Sequence, residues 1–298
     1  MCFDVARGEI FGLVGESGCG KSVTGMAVLN MIRHPGSIVG GRVVFDGEDL
    51  VGKSDEEMMS VRGRRIAMVF QDPAASLNPV FTIGQQMIRL VRLHRGVGKP
   101  EAVRLSIEML GAVGLRYPEQ ILRSYPHELS GGMQQRVMIG MALACGAEMI
   151  IADEPTAALD VTIQAQFLDL LLDLREREGL SIVLITHDLA VVAEVCDRVA
   201  VAYAGKVVEQ GSTIQVLTRP GHPYTSGLLA ALPEAIGPEQ AMRVIEGSVP
   251  DGLAPIEGCA FRPRCPEAMN VCRTRPPWVE DTDGHGVACH LPMTEVRS

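Results

Sequence analysis

The segment Gly15-Glu-Ser-Gly-Cys-Gly-Lys-Ser22, directly after the apolar run Ile10-Phe-Gly-Leu-Val14, constrains this chain more than any other feature. It fits G-x-x-x-x-G-K-[ST], a pattern that works as strand, tight loop and helix. Its glycines let backbone N–H groups curl around phosphate oxygens, and a following helix, expected over Ser22 to about Met31, brings its positive end to the same place. Gly15, Glu16, Ser17, Gly18, Cys19, Gly20 and Val23 then form a phosphate cradle for ATP, with Lys21 reaching the β- and γ-phosphates and Ser22 ligating Mg²⁺. Glycine-rich turns also precede helices that bind no nucleotide. Here the strand, the spacing and the Lys-Ser pair occur together, which favours the phosphate reading.

The 298 residues suffice for one large α/β core with a small appendage, or for two modest domains. With 36 acidic against 27 basic residues the net charge is −9, which argues against a nucleic-acid partner. The short basic cluster Arg62-Gly-Arg-Arg65 reads as the solvated start of the strand Ile66–Phe70. Val137 to Ala152 is the longest apolar run, but it carries Glu148 and falls short of the roughly twenty residues that span a bilayer. Met1-Cys-Phe-Asp lacks a basic n-region and an h-region, so a cytosolic chain is expected, with any membrane link made through partners.

After the first strand, loop and helix come turn-rich residues and a strand pair near Arg42–Phe45 and Ile66–Phe70. From about Pro73 to Leu129 the pattern is helical, strongest over Ile83–Leu93 and Glu101–Leu110. The helix Met133–Cys145 then leads into the apolar strand Met149–Ala152, and the alternation continues with Thr162–Arg177, Ser181–Thr186, Leu189–Cys196 and Val199–Tyr203. Such a βαβ rhythm predicts a mainly parallel sheet interrupted by a helical insertion. Composition shifts near Arg219-Pro-Gly221, where a second, smaller, Cys- and Pro-rich unit begins.

Chemistry is expected at the carboxyl ends of those strands. Asp153 and Glu154 end the strand 149–152; the first is suited to hold Mg²⁺ and the second to polarise an attacking water as general base. Gln71 follows the strand 66–70 and can coordinate Mg²⁺ or water, while His187 follows the strand 181–186 and can donate to a γ-phosphate. Either residue alone would pass for an ordinary polar side chain; their shared edge sets them apart.

Five motifs in order resemble the ATP-binding subunits of ABC transporters: the phosphate loop, "VFQDP" with Gln71, "LSGGMQQR" at 129–136, "IIADEPTAALD" and "LITHDL" with His187. This resemblance covers residues 1 to about 217 and implies a P-loop NTPase of the ABC type, an α/β domain over 1–217 with a helical subdomain at about 73–145. It further implies head-to-tail pairing, in which Ser130, Gly131, Gly132 and Gln134 of one subunit complete the ATP site of the other, and Asp160 links the two sites. "VFQDPAASLNPVFTIGQQ", "YPHELSGGMQQR" and "GHPYTSGLLAALP" narrow it to the subfamily that energises uptake of dipeptides and oligopeptides, with nickel or metal-chelate importers as close relatives. The implied partners are a second, homologous ATPase in a heterodimer, two transmembrane permease subunits contacted near Gln71, and an extracytoplasmic substrate-binding protein. The chain is then peripheral, at the cytoplasmic face of the inner membrane. A soluble ABC ATPase acting on DNA or ribosomes fits the acidic charge poorly, and a regulator without turnover conflicts with Glu154 and His187.

Residues 218–298 correspond to that subfamily's C-terminal extension. Four of its cysteines, Cys259, Cys265, Cys272 and Cys289, fall within 31 residues, and soft sulfur suits an iron–sulfur cluster or zinc. They lack the tight C-x₂-C pairs of zinc ribbons. Similar importers' ATPases carry a [4Fe–4S] cluster at such cysteines, which the resemblance therefore implies; zinc and no metal are the alternatives. His285 and His290 nearby could substitute as ligands but are read as solvated, and the scattered Cys2, Cys19, Cys145 and Cys196 as small buried or loop residues. Family members begin about two dozen residues earlier, with an aromatic residue that stacks on adenine. Phe3 reads instead as part of the following strand, so weaker adenine binding or a start further upstream is expected.

Overall fold

The computed structural model describes residues 1–157, 159–232, 245–250 and 256–292. Ala158, inside "IIADEPTAALD", and Pro233, which ends "GHPYTSGLLAALP", lie outside them. Strands among the described residues are, in chain order, β1 (Ile10–Val14), β2 (Val44–Phe45), β3 (Glu48–Asp49), β4 (Ile66–Val69), β5 (Met149–Asp153), β6 (Ser181–Thr186), β7 (Arg198–Tyr203), β8 (Lys206–Ser212), β9 (Trp278–Glu280) and β10 (Gly286–Ala288). The chain forms two compact units, one of Met1–Val5, Glu9–Lys21 and Leu184–Ser298, the other of Ala6–Gly8 and Ser22–Val183.

In the first unit all five residues of β1 are buried. Apolar side chains on both faces suit a parallel strand covered on both sides, and β1 pairs in parallel with β7, Phe11 opposite Arg198 through Val14 opposite Val201. Leu189–Val195 packs closely here: a Cβ on Gly12 would meet Val192 methyls at 3.3 Å. Beyond β7 the pairing turns antiparallel. Ala204 and Gly205, with φ of 46° and 77°, make a left-handed two-residue turn into β8. The C-terminal segment adds β10 and β9 by antiparallel pairing, Val287 opposite Glu209 and Val279. The sheet is therefore mixed rather than mainly parallel, because a two-residue hairpin joins β7 to β8 and the C-terminal strands return beside β8. Phe3 belongs to no strand; its ring stacks on Phe11 at 5.2 Å.

Buried in that antiparallel region is a carboxylate. Glu209, fully inaccessible, accepts from the backbone N–H of Gly221 (2.7 Å) and His222 (2.9 Å) and from His285 Nε2 (2.8 Å). Three donors replace the water that an ionised carboxylate loses on burial. His285 is thus buried rather than solvated, drawn in by a partner 76 residues away. Burial lowers the pKa of His222 to about 4, so that its Nδ1 serves as acceptor for the Tyr224 N–H at neutral pH.

In the second unit β4 pairs in parallel with β5, Ile66 opposite Met149 through Val69 opposite Ala152. The expected pairing of 42–45 with 66–70 does not occur. Asp46 and Gly47, at φ of 53° and 81°, close β2 onto β3 as a separate hairpin. The basic cluster before β4 is largely partnered: Arg62 donates to the carbonyls of Leu29 and Asn30, and Arg65 pairs with Glu148 and Asp46. The helix Lys21–Val28 stops earlier than expected, and Asn30 just beyond it takes φ 50°. Gly131–Cys145 is a mostly buried helix capped by Ser130 at its start and closed by Gly146 at φ 100°.

Candidate functional site

The phosphate loop grows out of β1. Gly15 cannot be anything larger, since its φ is 153° and a Cβ would stand 2.2 Å from the Ala202 carbonyl oxygen and 3.0 Å from Cys19 Sγ. Lys21 is only 5% exposed; its Nζ donates to the carbonyls of Gly15 (2.6 Å) and Glu16 (3.1 Å) and lies 3.8 Å from Cys19 Sγ. A buried ammonium must be solvated by protein dipoles, and the loop's own carbonyls do this. Cys19 stays a neutral thiol, its pKa raised by burial despite the nearby Lys21 charge. Glu16 is held twice: its N–H donates to Tyr224 Oη at 2.9 Å, and Arg264 grips its carboxylate at 2.6 and 2.9 Å. His187 is exposed in the turn after β6, next to Asp188, which caps the helix Leu189–Val195.

In the second unit, Ser22 Oγ donates to Asp153 Oδ1 at 2.9 Å. Asp153, 7% exposed, ends β5; Glu154 follows with φ 46°, a left-handed conformation uncommon outside glycine. That conformation breaks the strand's alternation, so the two adjacent carboxylates need not follow it. Such backbone strain is a feature of functional sites. A hydroxyl and a carboxylate oxygen 2.9 Å apart match the hard-oxygen donor set of Mg²⁺. Gln71 is exposed just after β4, and Asp72 caps the turn of helix that follows.

Ser130, Gly131 and Gly132 open the helix Gly131–Cys145, where a helix N-terminus offers N–H groups and a favourable field to an anion. Ser130 Oγ accepts from the Met133 N–H at 3.4 Å. Gly132 lies against the helix Val161–Glu178, which Asp160 caps; a Cβ there would meet Ile163 Cγ2 at 2.9 Å. Gln134, assigned by sequence to nucleotide contacts, is buried and donates to the carbonyls of Pro126 (2.8 Å) and Leu129 (3.2 Å). Its neighbour Gln135 donates to the carbonyl of Pro155, the residue after Glu154. Sequence reasoning passed over Gln135, because adjacent glutamines in one motif give no sign of which reaches which wall.

The four C-terminal cysteines line one cavity with Phe261, Glu267 and His290. The Leu291 N–H donates to Cys289 Sγ at 3.5 Å, while the Arg262 N–H donates to the Cys259 carbonyl at 3.1 Å. Burial and then the neighbouring cysteines push the Cys265 thiol up to about 11, and burial raises Cys259 and Cys289 as well. Gly258 permits the convergence: its φ is 73°, and a Cβ would collide with the Cys272 carbonyl oxygen at 2.4 Å. Among the described residues no three His, Cys, Asp or Glu side chains are grouped as ligands of a single metal ion. A single zinc needs four donors at about 2.0–2.3 Å from one point, so the cysteines share a cavity without forming that set.

Comparisons with known proteins bear on both regions. The model of the family described as "ABC transporter" matches residues 1–157, and that of "Oligopeptide/dipeptide transporter, C-terminal region" matches 208–272. The chain is 50% identical over 290 residues to a probable peptide ABC transporter ATP-binding protein, y4tR, of Sinorhizobium fredii, covering 96% of this chain and 87% of that one. It is 45% identical over 296 residues to the dipeptide transport ATP-binding protein DppD of Escherichia coli, covering 99% and 90%. Among solved structures it resembles the dimeric ATP-binding cassette MJ0796 in a post-hydrolysis state with ADP and Pi, at TM-score 0.61 and 29% identity over 71% of this chain and 88% of that one. No helix among the described residues is long and apolar enough to cross a membrane. The P-loop ATPase fold, the phosphate loop grown from β1 and these likenesses lead to one conclusion: the chain belongs to the ABC transporter family, as one of its ATP-hydrolysing, ATP-binding subunits.

Proposed function

We propose that this subunit energises uptake of dipeptides or oligopeptides through a membrane permease, from the cytoplasmic face of the inner membrane. The observation that carries the substrate class is the match of residues 208–272 to the oligopeptide/dipeptide transporter C-terminal region. The likeness to DppD of Escherichia coli and to the oligopeptide transport ATP-binding protein AppD of Bacillus subtilis, 45% identical over 293 residues, supports it. Functionally the chain divides into an ATPase region, 1–217, and an extension, 218–298. Its partners are two permease subunits, a substrate-binding protein and a second, homologous ATPase.

In this reading the amides of residues 15–23 cradle the phosphates and Lys21 leaves its carbonyl partners to share their charge. Ser22 and Asp153 would hold Mg²⁺, which would supply Lewis-acid neutralisation of the phosphate oxygens. Glu154 takes a proton from water as its oxygen attacks the γ-phosphorus; the bond to the β-bridging oxygen breaks and ADP leaves. Gln71 orients that water, and His187 donates to the γ-phosphate. Ser130, Gly131 and Gly132 face the ATP held by the partner ATPase, Gln134 and Gln135 fix that loop's shape, and Asp160 carries its state across the interface.

The cysteine cavity is proposed to hold a [4Fe–4S] cluster. Four sulfurs around one cavity and the Leu291 N–H donated to Cys289 Sγ support this, since such hydrogen bonds tune cluster thiolates. Anaerobic purification with iron and sulfide analysis checks it: about four irons per chain are expected, whereas an iron-free chain retaining zinc, or no metal, rejects the cluster.

Deleting the gene and measuring entry of a labelled dipeptide, a labelled tetrapeptide and nickel tests the transport reading. Loss of peptide entry with nickel entry intact is expected. Loss of nickel entry alone would transfer the assignment to a metal importer.

A further inference from the structure

Glu16 sets a problem for the loop that carries it. A triphosphate brings several negative charges to this loop, and a carboxylate on its second residue opposes them, the more strongly the less water lies between. The fold answers with Arg264, 248 residues away. Nη1 donates to Glu16 Oε2 at 2.6 Å and Nη2 to Oε1 at 2.9 Å, a two-point fork that matches the carboxylate's geometry. The Arg264 side chain is 5% exposed and that of Glu16 30%, so the pair is poorly screened.

The fork is itself built in. Arg264 also donates to the carbonyls of Glu246 (2.8 Å) and Ile245 (3.2 Å) and to Tyr203 Oη (3.4 Å), and lies over the Tyr203 ring at 5.8 Å. Tyr203 packs edge-on against Tyr224 (4.7 Å) and Phe261 (5.3 Å). Tyr224, which accepts the Glu16 N–H, belongs to the same cluster, so the Glu16 backbone bonds to this cluster directly and its carboxylate through Arg264.

We infer that Arg264 is a positioning residue of the phosphate loop: by neutralising and fixing Glu16 it makes ATP affinity depend on the C-terminal segment. The inference rests on the reading of residues 15–22 as the ATP site. Arg264 touches no phosphate and acts only through Glu16.

The test is Mg-ATP binding to the purified full-length chain, read with a fluorescent ATP analogue and by competition, with melting temperature in parallel. Arg264→Gln is expected to weaken binding about tenfold, a loss of roughly 1.4 kcal/mol. Glu16→Gln keeps the cradle's backbone N–H and removes only the side chain's opposing charge, so it binds more tightly than the parent, and Glu16→Gln/Arg264→Gln returns to within about threefold of it. A purely structural role would leave the double variant as weak as Arg264→Gln, and that result overturns the inference. Weaker binding by Glu16→Gln overturns it too, whether or not Arg264→Gln can be purified. Lys21→Ala separates the premises: if it binds ATP as the parent does, the nucleotide-site reading has failed rather than the role of Arg264.

Discussion

Glu154→Gln is expected to retain ATP and to hydrolyse it about a thousandfold more slowly, the middle of the range for loss of a general base. The substitution keeps the side chain's length and shape, so the left-handed backbone at φ 46° gains no new clash. It also leaves the Ser22–Asp153 pair in place. What it removes is the ability to accept a proton, since an amide oxygen can orient water but cannot deprotonate it. Single-turnover hydrolysis and equilibrium ATP binding measured on the same preparation separate the two effects. Turnover equal to that of the parent would take the base role from Glu154.

Lys21→Ala should weaken ATP binding about a hundredfold, roughly 2.7 kcal/mol. Burial makes the effect large: Lys21 is 5% exposed, and its ammonium is already desolvated and solvated only by the Gly15 and Glu16 carbonyls. Moving that charge onto phosphate oxygens therefore gains more than the same step from bulk water, where each partner first loses hydration. Thermal unfolding with and without Mg-ATP reads the loss directly. At about a hundred times the parent's dissociation constant, ATP stabilises the parent by about 2.7 kcal/mol, while the variant gains only about 0.4 kcal/mol. An unchanged ATP-dependent shift would contradict the assignment.

The parts of this site legible in the sequence were those whose atoms are placed by a few consecutive residues. Strand β1 followed by a glycine-rich turn, and β5 ending in two carboxylates, are such cases. So is the Ser130-Gly-Gly132 start of a helix. The βαβ rhythm likewise gave β5, β6 and β7 to within a residue or so. It failed where a turn rather than a crossover decided the pairing. Asp46-Gly47 and Ala204-Gly205 both fold the chain straight back, which detached 44–45 from β4 and made the far side of the sheet antiparallel.

Side-chain partners separated by long stretches of chain were not legible. Glu209 and His285 stand 76 residues apart, and Glu16 and Arg264 stand 248 apart. Nothing in the spacing of either pair marks it. The four cysteines were visible as a group, but only the fold shows that they line one cavity without closing on a single ion.

The sequence by itself therefore determined the make-up of the candidate site: a lysine, a serine and two carboxylates at strand and helix ends, in positions that covalent geometry carries from residue to residue. Tertiary structure alone decided how that chemistry is tuned. A guanidinium from residue 264 reaches the second residue of the phosphate loop because packing of Tyr203, Tyr224 and Phe261 brings it there, and such packing depends on many distant residues at once.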